Sequence, residues 1–124
     1  MNKASLRNNS VKIARKESLF LREISSLYQQ ASYNDPELPL ITITKVELSS
    51  DKGLCKVFFY CPEGKEHFET ILDRLILYKP SLRKALASRI DSRYTPDIIF
   101  TFDTQQAIHL RVEYLIEKVK GEQG

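Results

Sequence analysis

Apolar residues recur at intervals of three, four or seven along the first third of the chain, which is the spacing of one face of an α-helix. The residues on this face are Ile13, Phe20, Ile24, Leu27 and Ala31. The pattern predicts a helix from about Ser10 to Ala31. The run Asn34-Asp35-Pro36 predicts the turn that ends it, because proline disfavours helical backbone in the residue before it.

Two strands are predicted next, because apolar and polar residues alternate over 40–48 and again over 54–61. The turn-forming cluster between them predicts a hairpin. The alternation of the first strand slips by one residue near Lys45, and a β-bulge there would explain the slip. Cys55 and Cys61 fall about 20 Å apart at ~3.3 Å per residue, too far for a disulfide. We therefore expect two free thiols, one or both of them buried.

The pattern over residues 65–93 predicts two helices that meet at a kink. Apolar residues follow helical spacing from about residue 65 to 77, and the spacing resumes at Leu82 and continues toward Arg93. Pro80 lies between the two stretches, and proline inside a helix kinks or breaks it. We expect the bend at Tyr78-Lys79-Pro80.

A third strand and a last helix complete the pattern. Residues 97–102 alternate as a short strand, and Asp103 or Thr104 can cap a helix that ends before Gly121. The apolar positions of that helix are Ala107, Leu110, Val112, Leu115, Ile116 and Val119. Three strands with helices packed on one face predict an α+β fold. We expect one domain over 1–124, with a core of about 10–119 and short mobile ends.

The composition is that of an ordinary globular protein. The 124 residues carry 19 Lys and Arg against 16 Asp and Glu, a net charge of +3, and 42% are hydrophobic. These proportions exclude disordered, collagen-like and disulfide-rich chains. No apolar run approaches the roughly 18 residues of a membrane-spanning helix, and residues 1–7 lack the apolar stretch of a secretory signal. We therefore expect a cytoplasmic protein without a membrane partner.

Positive charge is concentrated in two segments, at the start of the chain and over residues 79–93, as a phosphate-binding surface would need; the alternative is a solvated helix surface. The first sixteen residues contain five bases and no acid, although a basic helix start opposes the helix dipole. Lys and Arg supply most phosphate contacts, so we expect both segments to converge on one phosphate-binding patch. The candidates are Arg7, Lys12, Arg15, Lys16, Lys79, Arg83, Lys84 and Arg93. Arg89 shares the sector of Leu82 and Leu86, so it is expected to lie against the core or to pair with an acid.

Four aromatic residues have two possible roles. Phe58 and Tyr60 lie on the outer face of the second strand, where they could stack on unpaired bases or pack at the sheet edge, and packing is favoured. Tyr78 and Tyr94 flank the basic helix and lie nearer the expected contact surface.

The sequence offers no catalytic or metal site. His67 and His109 lie in different predicted helices, and no metal-binding or phosphate-loop motif occurs. Ser49-Ser50-Asp51 is interpreted as a hairpin turn, because turns favour these residues. We expect no enzymatic activity, no metal, no cofactor and no small-molecule substrate.

Five short motifs in order resemble the bacterial ribosome-binding factor A family over about residues 10–119. They are Arg15 with Arg22-Glu23-Ile24, Asp35-Pro36-Glu37-Leu38, Val46-Glu47-Leu48-Ser49-Ser50-Asp51 with Cys55-Lys56-Val57, Arg93-Tyr94-Thr95-Pro96-Asp97-Ile98-Ile99-Phe100, and Asp103 with Arg111. Two positions differ from the family: Tyr78-Lys79-Pro80 replaces a small-residue Ala-x-Gly kink, and His109 replaces a glycine.

The resemblance implies a type II KH-like fold, in the order α-β-β-α-(kink)-α-β with an added C-terminal helix. The GxxG loop that clamps nucleotides in other KH domains is absent, as it is in the family. The resemblance further implies binding to free small (30S) ribosomal subunits, help in maturing the 5′ end of 16S rRNA, and an association with cold adaptation. A monomer is expected, since nothing in the sequence suggests a coiled-coil seam. The alternative is a protein-interaction adaptor without RNA contact.

Overall fold

The secondary-structure elements of the described residues follow one another in the expected order, except that one helix takes the place of two. The computed structural model describes the backbone of residues 3–39, 41–90 and 95–123, and the side chains of residues 11–121 within these ranges. The elements are α1 (Lys3–Asn34), β1 (Thr42–Leu48), β2 (Leu54–Tyr60), α2 (Lys65–Arg89), β3 (Asp97–Phe102) and α3 (Thr104–Gln123). The predicted α+β class is therefore confirmed.

The strands form one mixed sheet in the order β1-β2-β3, with β1 antiparallel and β3 parallel to the central β2. Side chains alternate across a strand, so every second residue of β2 and β3 faces the core. These residues are Cys55, Val57, Phe59, Ile98, Phe100 and Phe102. The core residues of α1 and α2 that accompany them are Phe20, Ile24, Leu27, Tyr28, Phe68, Leu75, Leu82 and Leu86. One face of the sheet is thus covered by α1 and α2.

A β-bulge links β1 to the start of α3. The pairing of β1 with β2 shifts between Ile43 and Lys45, so Thr44 is the extra residue and the predicted bulge is confirmed. The Thr44 hydroxyl donates a 2.5 Å hydrogen bond to the Asp103 carboxylate. The other carboxylate oxygen of Asp103 accepts from the Gln106 amide at 2.9 Å. Asp103 is therefore the cap of α3, one of the two residues expected in that role.

The α2 helix is continuous through Pro80, so the predicted division into two helices is wrong. A proline removes the hydrogen bond from its own nitrogen to the carbonyl four residues earlier, here that of Ile76. Pro80 and Ile76 are both exposed, so solvent can bind the freed carbonyl at the helix surface.

The ends of α1 and α3 also differ from the prediction. The α1 helix runs from Lys3 to Asn34 rather than from Ser10 to Ala31, because nothing before Pro36 forces it to stop. The α3 helix continues past Gly121 to Gln123. A glycine in a helix costs only about 1 kcal/mol, which does not end the helix.

Both cysteines are free and buried, as predicted. Burial, together with the nearby charge of Glu17, raises the pKa of the Cys55 thiol to about 12. The Glu17 carboxylate accepts a 2.8 Å hydrogen bond from the Leu48 amide, which fixes α1 against the end of β1.

Candidate nucleic-acid interface

The bases of α1 lie on two faces of the helix. Lys16, Glu23 and Gln30 recur every seven residues and therefore share one face, with Lys12 one turn before Lys16. The Arg89 guanidinium of α2 donates to Glu23 and Gln30, each at 3.2 Å. Lys12 and Lys16 thus continue the α1 face that meets α2.

The outer surface of α1 carries Arg15, which is exposed, with Arg22 seven residues on. Among the described residues, no acidic group lies within 4 Å of Arg15, Lys12 or Lys16. These three bases are therefore available to an external anion.

Arg89 is engaged within the protein. Besides its ion pair with Glu23 at 3.2 Å, its guanidinium lies 3.4 Å from the Ser26 hydroxyl. The expectation that Arg89 pairs with an acid is confirmed, and this base joins α2 to α1.

The bases of α2 lie on a different flank from Arg89. Successive helix positions turn by about 100°, so Arg83, six residues earlier, projects toward the segment that enters β3. Lys79 lies one turn before Arg83 on the same flank, and Lys84 is exposed on the outer surface. Among the described residues, the expected basic patch is thus divided into a group on α1 and a group on the far flank of α2.

Arg83 is tied to the backbone ahead of β3. Its Nε donates to the Pro96 carbonyl at 3.1 Å and its Nη2 to the Thr95 carbonyl at 3.2 Å. The side chain is half-buried. Arg83 therefore fixes the approach to β3, a role that the charge pattern did not reveal.

Replacing Arg83 with glutamine is expected to lower the free energy of unfolding by about 2 kcal/mol, because two charge-assisted hydrogen bonds are lost from partly buried carbonyls. Chemical denaturation checks this value. Lys84→Gln is the matched control: it removes the same charge from the neighbouring exposed position and should change stability by less than about 0.5 kcal/mol. Equal stability of the two variants would contradict the structural role.

Three predicted contacts fall outside this description. Arg7 is part of the α1 helix, but its side chain is not among those that the structure describes. Arg93 and Tyr94 lie outside the described residues altogether. Their role in binding stays a prediction.

The aromatic candidates are engaged in packing. The Tyr78 ring meets Tyr28 edge-on at 6.0 Å, and its hydroxyl lies 3.4 Å from the Leu27 carbonyl. Tyr60 packs on Phe102 at 5.9 Å. The favoured packing interpretation therefore holds for Tyr60.

Sequence reasoning missed two bases on the face of the sheet opposite α1 and α2. Lys45 lies over the Phe58 ring, 4.4 Å from its centroid, and donates to Gln105 at 3.0 Å. Lys56 is exposed opposite Glu47 in the register of the hairpin. The alternation of apolar and polar residues in β1 and β2 could have placed both lysines on this face. Neither was predicted as a contact, because each is a single base in its strand and does not belong to a cluster of positive charge.

The described residues show neither a metal cluster nor a membrane helix. No three His, Cys, Asp or Glu side chains within the described ranges are grouped so that they could hold a metal ion. Of the described helices, none combines the length and the hydropathy that crossing a lipid bilayer requires.

The family model of ribosome-binding factor A matches residues 12–116, which include the whole sheet and the bases of α1 and α2 except Lys3 and Arg7. The chain belongs to the ribosome-binding factor A family. The family consists of binding factors, so the expectation of a protein without enzymatic activity is confirmed by membership.

Ribosome-binding factor A proteins of other organisms, including one of known structure, are similar to this chain over most of its length. Ribosome-binding factor A of Brevibacillus brevis is 30% identical over 114 residues, covering 92% of this chain and 93% of that protein. The Aliivibrio fischeri protein is 37% identical over 92 residues, or 73% and 67% of the two chains. The crystal structure of ribosome-binding factor A from Thermus thermophilus is 28% identical, with a TM-score of 0.60 over 71% of this chain and 92% of that one. The KH-like fold is thereby confirmed.

The motifs that resemble ribosome-binding factor A form turns and caps. Asp51 accepts from the Ser49 hydroxyl at 2.6 Å and from the Gly53 amide at 2.9 Å, which confirms the interpretation of this run as a turn. Asp35 accepts from the Glu37 amide at 3.0 Å, and Asp103 caps α3. These three aspartates of the motifs therefore serve the fold.

Proposed function

We propose that this protein is a ribosome assembly factor that binds free small ribosomal subunits and assists maturation of the 5′ end of 16S rRNA. In this proposal the whole chain, residues 1–124, acts in the cytoplasm as one monomeric RNA-binding domain without a cofactor. A role in growth in the cold belongs to the same proposal. Membership in the ribosome-binding factor A family supports the ribosomal partner.

The single observation that supports direct rRNA contact is the group of unpaired bases on α1. Lys12, Arg15 and Lys16 have no acid within 4 Å among the described residues, whereas Arg22, Arg74 and Arg89 each have one. Unpaired bases bind phosphates without first breaking an internal ion pair. The α1 bases would neutralise phosphates and hold rRNA in an immature arrangement, with Lys79 and Lys84 adding contacts along α2.

The second candidate is an adaptor that binds a ribosomal protein and makes no RNA contact. The internal hydrogen bonds of Arg83 favour it, because this predicted phosphate contact binds backbone carbonyls of the protein itself instead.

Salt dependence separates the two candidates. Binding through phosphates releases counterions, so the affinity for purified small subunits should fall by roughly 100-fold between about 50 and 200 mM monovalent salt for four contacts. Co-sedimentation at constant Mg²⁺ measures this change while the subunits stay intact. An affinity that hardly changes over the range would favour the adaptor and contradict direct phosphate binding.

A further inference from the structure

The α3 helix carries an apolar face that no described part of the chain covers. Its members are Ile108, Val112, Leu115, Ile116 and Val119, here named the α3 stripe. They are between 43% and 63% exposed and follow the spacing of one helix face. Among the described apolar residues of α3, only Ala107 and Leu110 in its first turns are partly buried.

A helix with an exposed apolar face is stabilised when a partner covers that face. Most helices in proteins owe their stability mainly to the packing of an apolar face and less to intrinsic helix propensity. Contiguous apolar surface of this kind is typical of an interaction site.

The charged residues that flank the α3 stripe indicate the chemistry of the surface that it would bind. Arg111 and Lys118 lie on one flank, seven residues apart, and Lys120 lies on the other. Glu113 lies on the same side of the helix as Lys120, and its carboxylate is 3.0 Å from Nε2 of His109. The two flanks together thus carry three bases and one acid. The flanks are therefore mainly cationic, and the complementary surface is apolar with acidic edges.

A second copy of the chain offers too little area. The five side chains expose on the order of 450 Å² per molecule, so two stripes together would bury about 900 Å², below the roughly 1,200 Å² of small stable interfaces. Self-pairing would also bring cationic flanks together. A larger partner surface can cover the stripe and its flanks at once.

RNA matches the α3 stripe poorly. Unpaired bases stack on aromatic rings, and the five members of the stripe are all aliphatic. The aromatic residue of this segment, Tyr114, projects about 140° from the centre of the stripe, beside Arg111. Phosphates would satisfy the basic flanks but leave the aliphatic surface without apolar contact.

We propose that the α3 stripe docks on a protein of the small ribosomal subunit, in an apolar groove edged by carboxylates. The proposal rests on the proposed function, since the partner is a component of the particle that the basic surface of α1 binds. It adds a protein contact that does not depend on phosphates.

Photo-crosslinking from within the stripe tests the proposal. A benzophenone amino acid at Leu115, in the full chain bound to purified small subunits, should crosslink to a ribosomal protein. The same probe at Tyr114, on the other side of the helix, should give at most one-fifth of that product. A Leu115 crosslink to rRNA, a crosslinked dimer of this chain, no crosslink, or equal products from both positions would each overturn the proposal.

A binding measurement separates this proposal from the electrostatic one. The variant Val112→Ser with Ile116→Ser should bind small subunits about tenfold more weakly, with an unchanged slope of log affinity against log salt, because no phosphate contact is lost. Unchanged affinity would overturn the α3 proposal alone. Failure of the wild-type chain to bind small subunits would overturn the proposed function and this inference together. Circular dichroism checks that the helix content of the variant is retained.

Discussion

Reversing the charge of Lys12 and Lys16, as Lys12→Glu with Lys16→Glu, is expected to weaken binding to small ribosomal subunits by at least roughly 50-fold at about 0.1 M salt. Each phosphate contact contributes nearly tenfold in affinity at this salt concentration, and the new carboxylates repel the phosphates of the RNA backbone. Both residues lie on the α1 face that continues toward Arg89, and among the described residues no acidic group lies within 4 Å of either ammonium group. Co-sedimentation or fluorescence anisotropy measures the affinity.

The matched control reverses two bases elsewhere. Lys52→Glu with Lys65→Glu makes the same change in net charge, at the exposed hairpin turn and at the first residue of α2. An acid at the start of α2 is compatible with the helix dipole. The control should retain affinity within about threefold, since long-range attraction is screened over about 8–10 Å. An equal loss in both variants would indicate a general charge effect and no defined surface on α1.

Replacing Asp103 with alanine is expected to lower the free energy of unfolding by about 3 kcal/mol. The loss of a helix cap costs about 1 kcal/mol, and loss of a buried hydrogen bond to a charged group costs about 2 kcal/mol more. Asp103 is only 5% exposed, and its carboxylate holds Thr44 in the bulge. Thermal denaturation should show a decrease in Tm of about 10 °C for a chain of this size.

Two comparisons control this result. Asp73→Ala, at an exposed position of α2, should change stability by less than about 0.5 kcal/mol. Asp103→Asn keeps an acceptor for the cap and should lose only about 1 kcal/mol. A loss for Asp103→Ala no greater than that for Asp73→Ala would contradict the role of the carboxylate.

The contribution of Asp103 should also depend on pH. Burial raises the pKa of this carboxyl, but hydrogen bonds from Thr44 and the Gln106 amide, with the charge of Lys45, outweigh it and hold the pKa below its ordinary value of 3.8. A lowered pKa in the folded state stabilises the protein above the ordinary value, and this stability is lost as pH falls through the folded pKa. The difference in stability between wild type and Asp103→Asn should therefore be constant above about pH 5 and shrink below pH 3.8. A difference independent of pH would contradict this assignment.

The sequence predicted the sheet well because its signals are local. Alternation places Cys55, Val57 and Phe59 on one face, and a slip in that alternation marks the bulge at Thr44. The course of α2 was predicted less well, since a proline signals a break unless its freed carbonyl faces solvent. Whether Pro80 lies on the exposed side of α2 depends on how the helix packs on the sheet.

The candidate site depends on contacts that no sequence pattern reveals. Arg83 and Lys84 are adjacent bases, yet one binds backbone carbonyls ahead of β3 and the other is exposed. The partner of Arg83 lies twelve to thirteen residues away and comes near only through the fold. In the same way, the spacing of the α3 stripe predicted an apolar face but not that the face would be left uncovered.

The most direct test of electrostatic docking through α1 is the salt dependence of binding in a variant that only removes charge. For Lys12→Gln with Lys16→Gln, log affinity for small subunits is plotted against log salt concentration beside the wild type. Loss of two phosphate contacts should make the slope shallower by about 1.4 to 1.8. Parallel lines for the two proteins would contradict the account, because they would show that these lysines touch no phosphate.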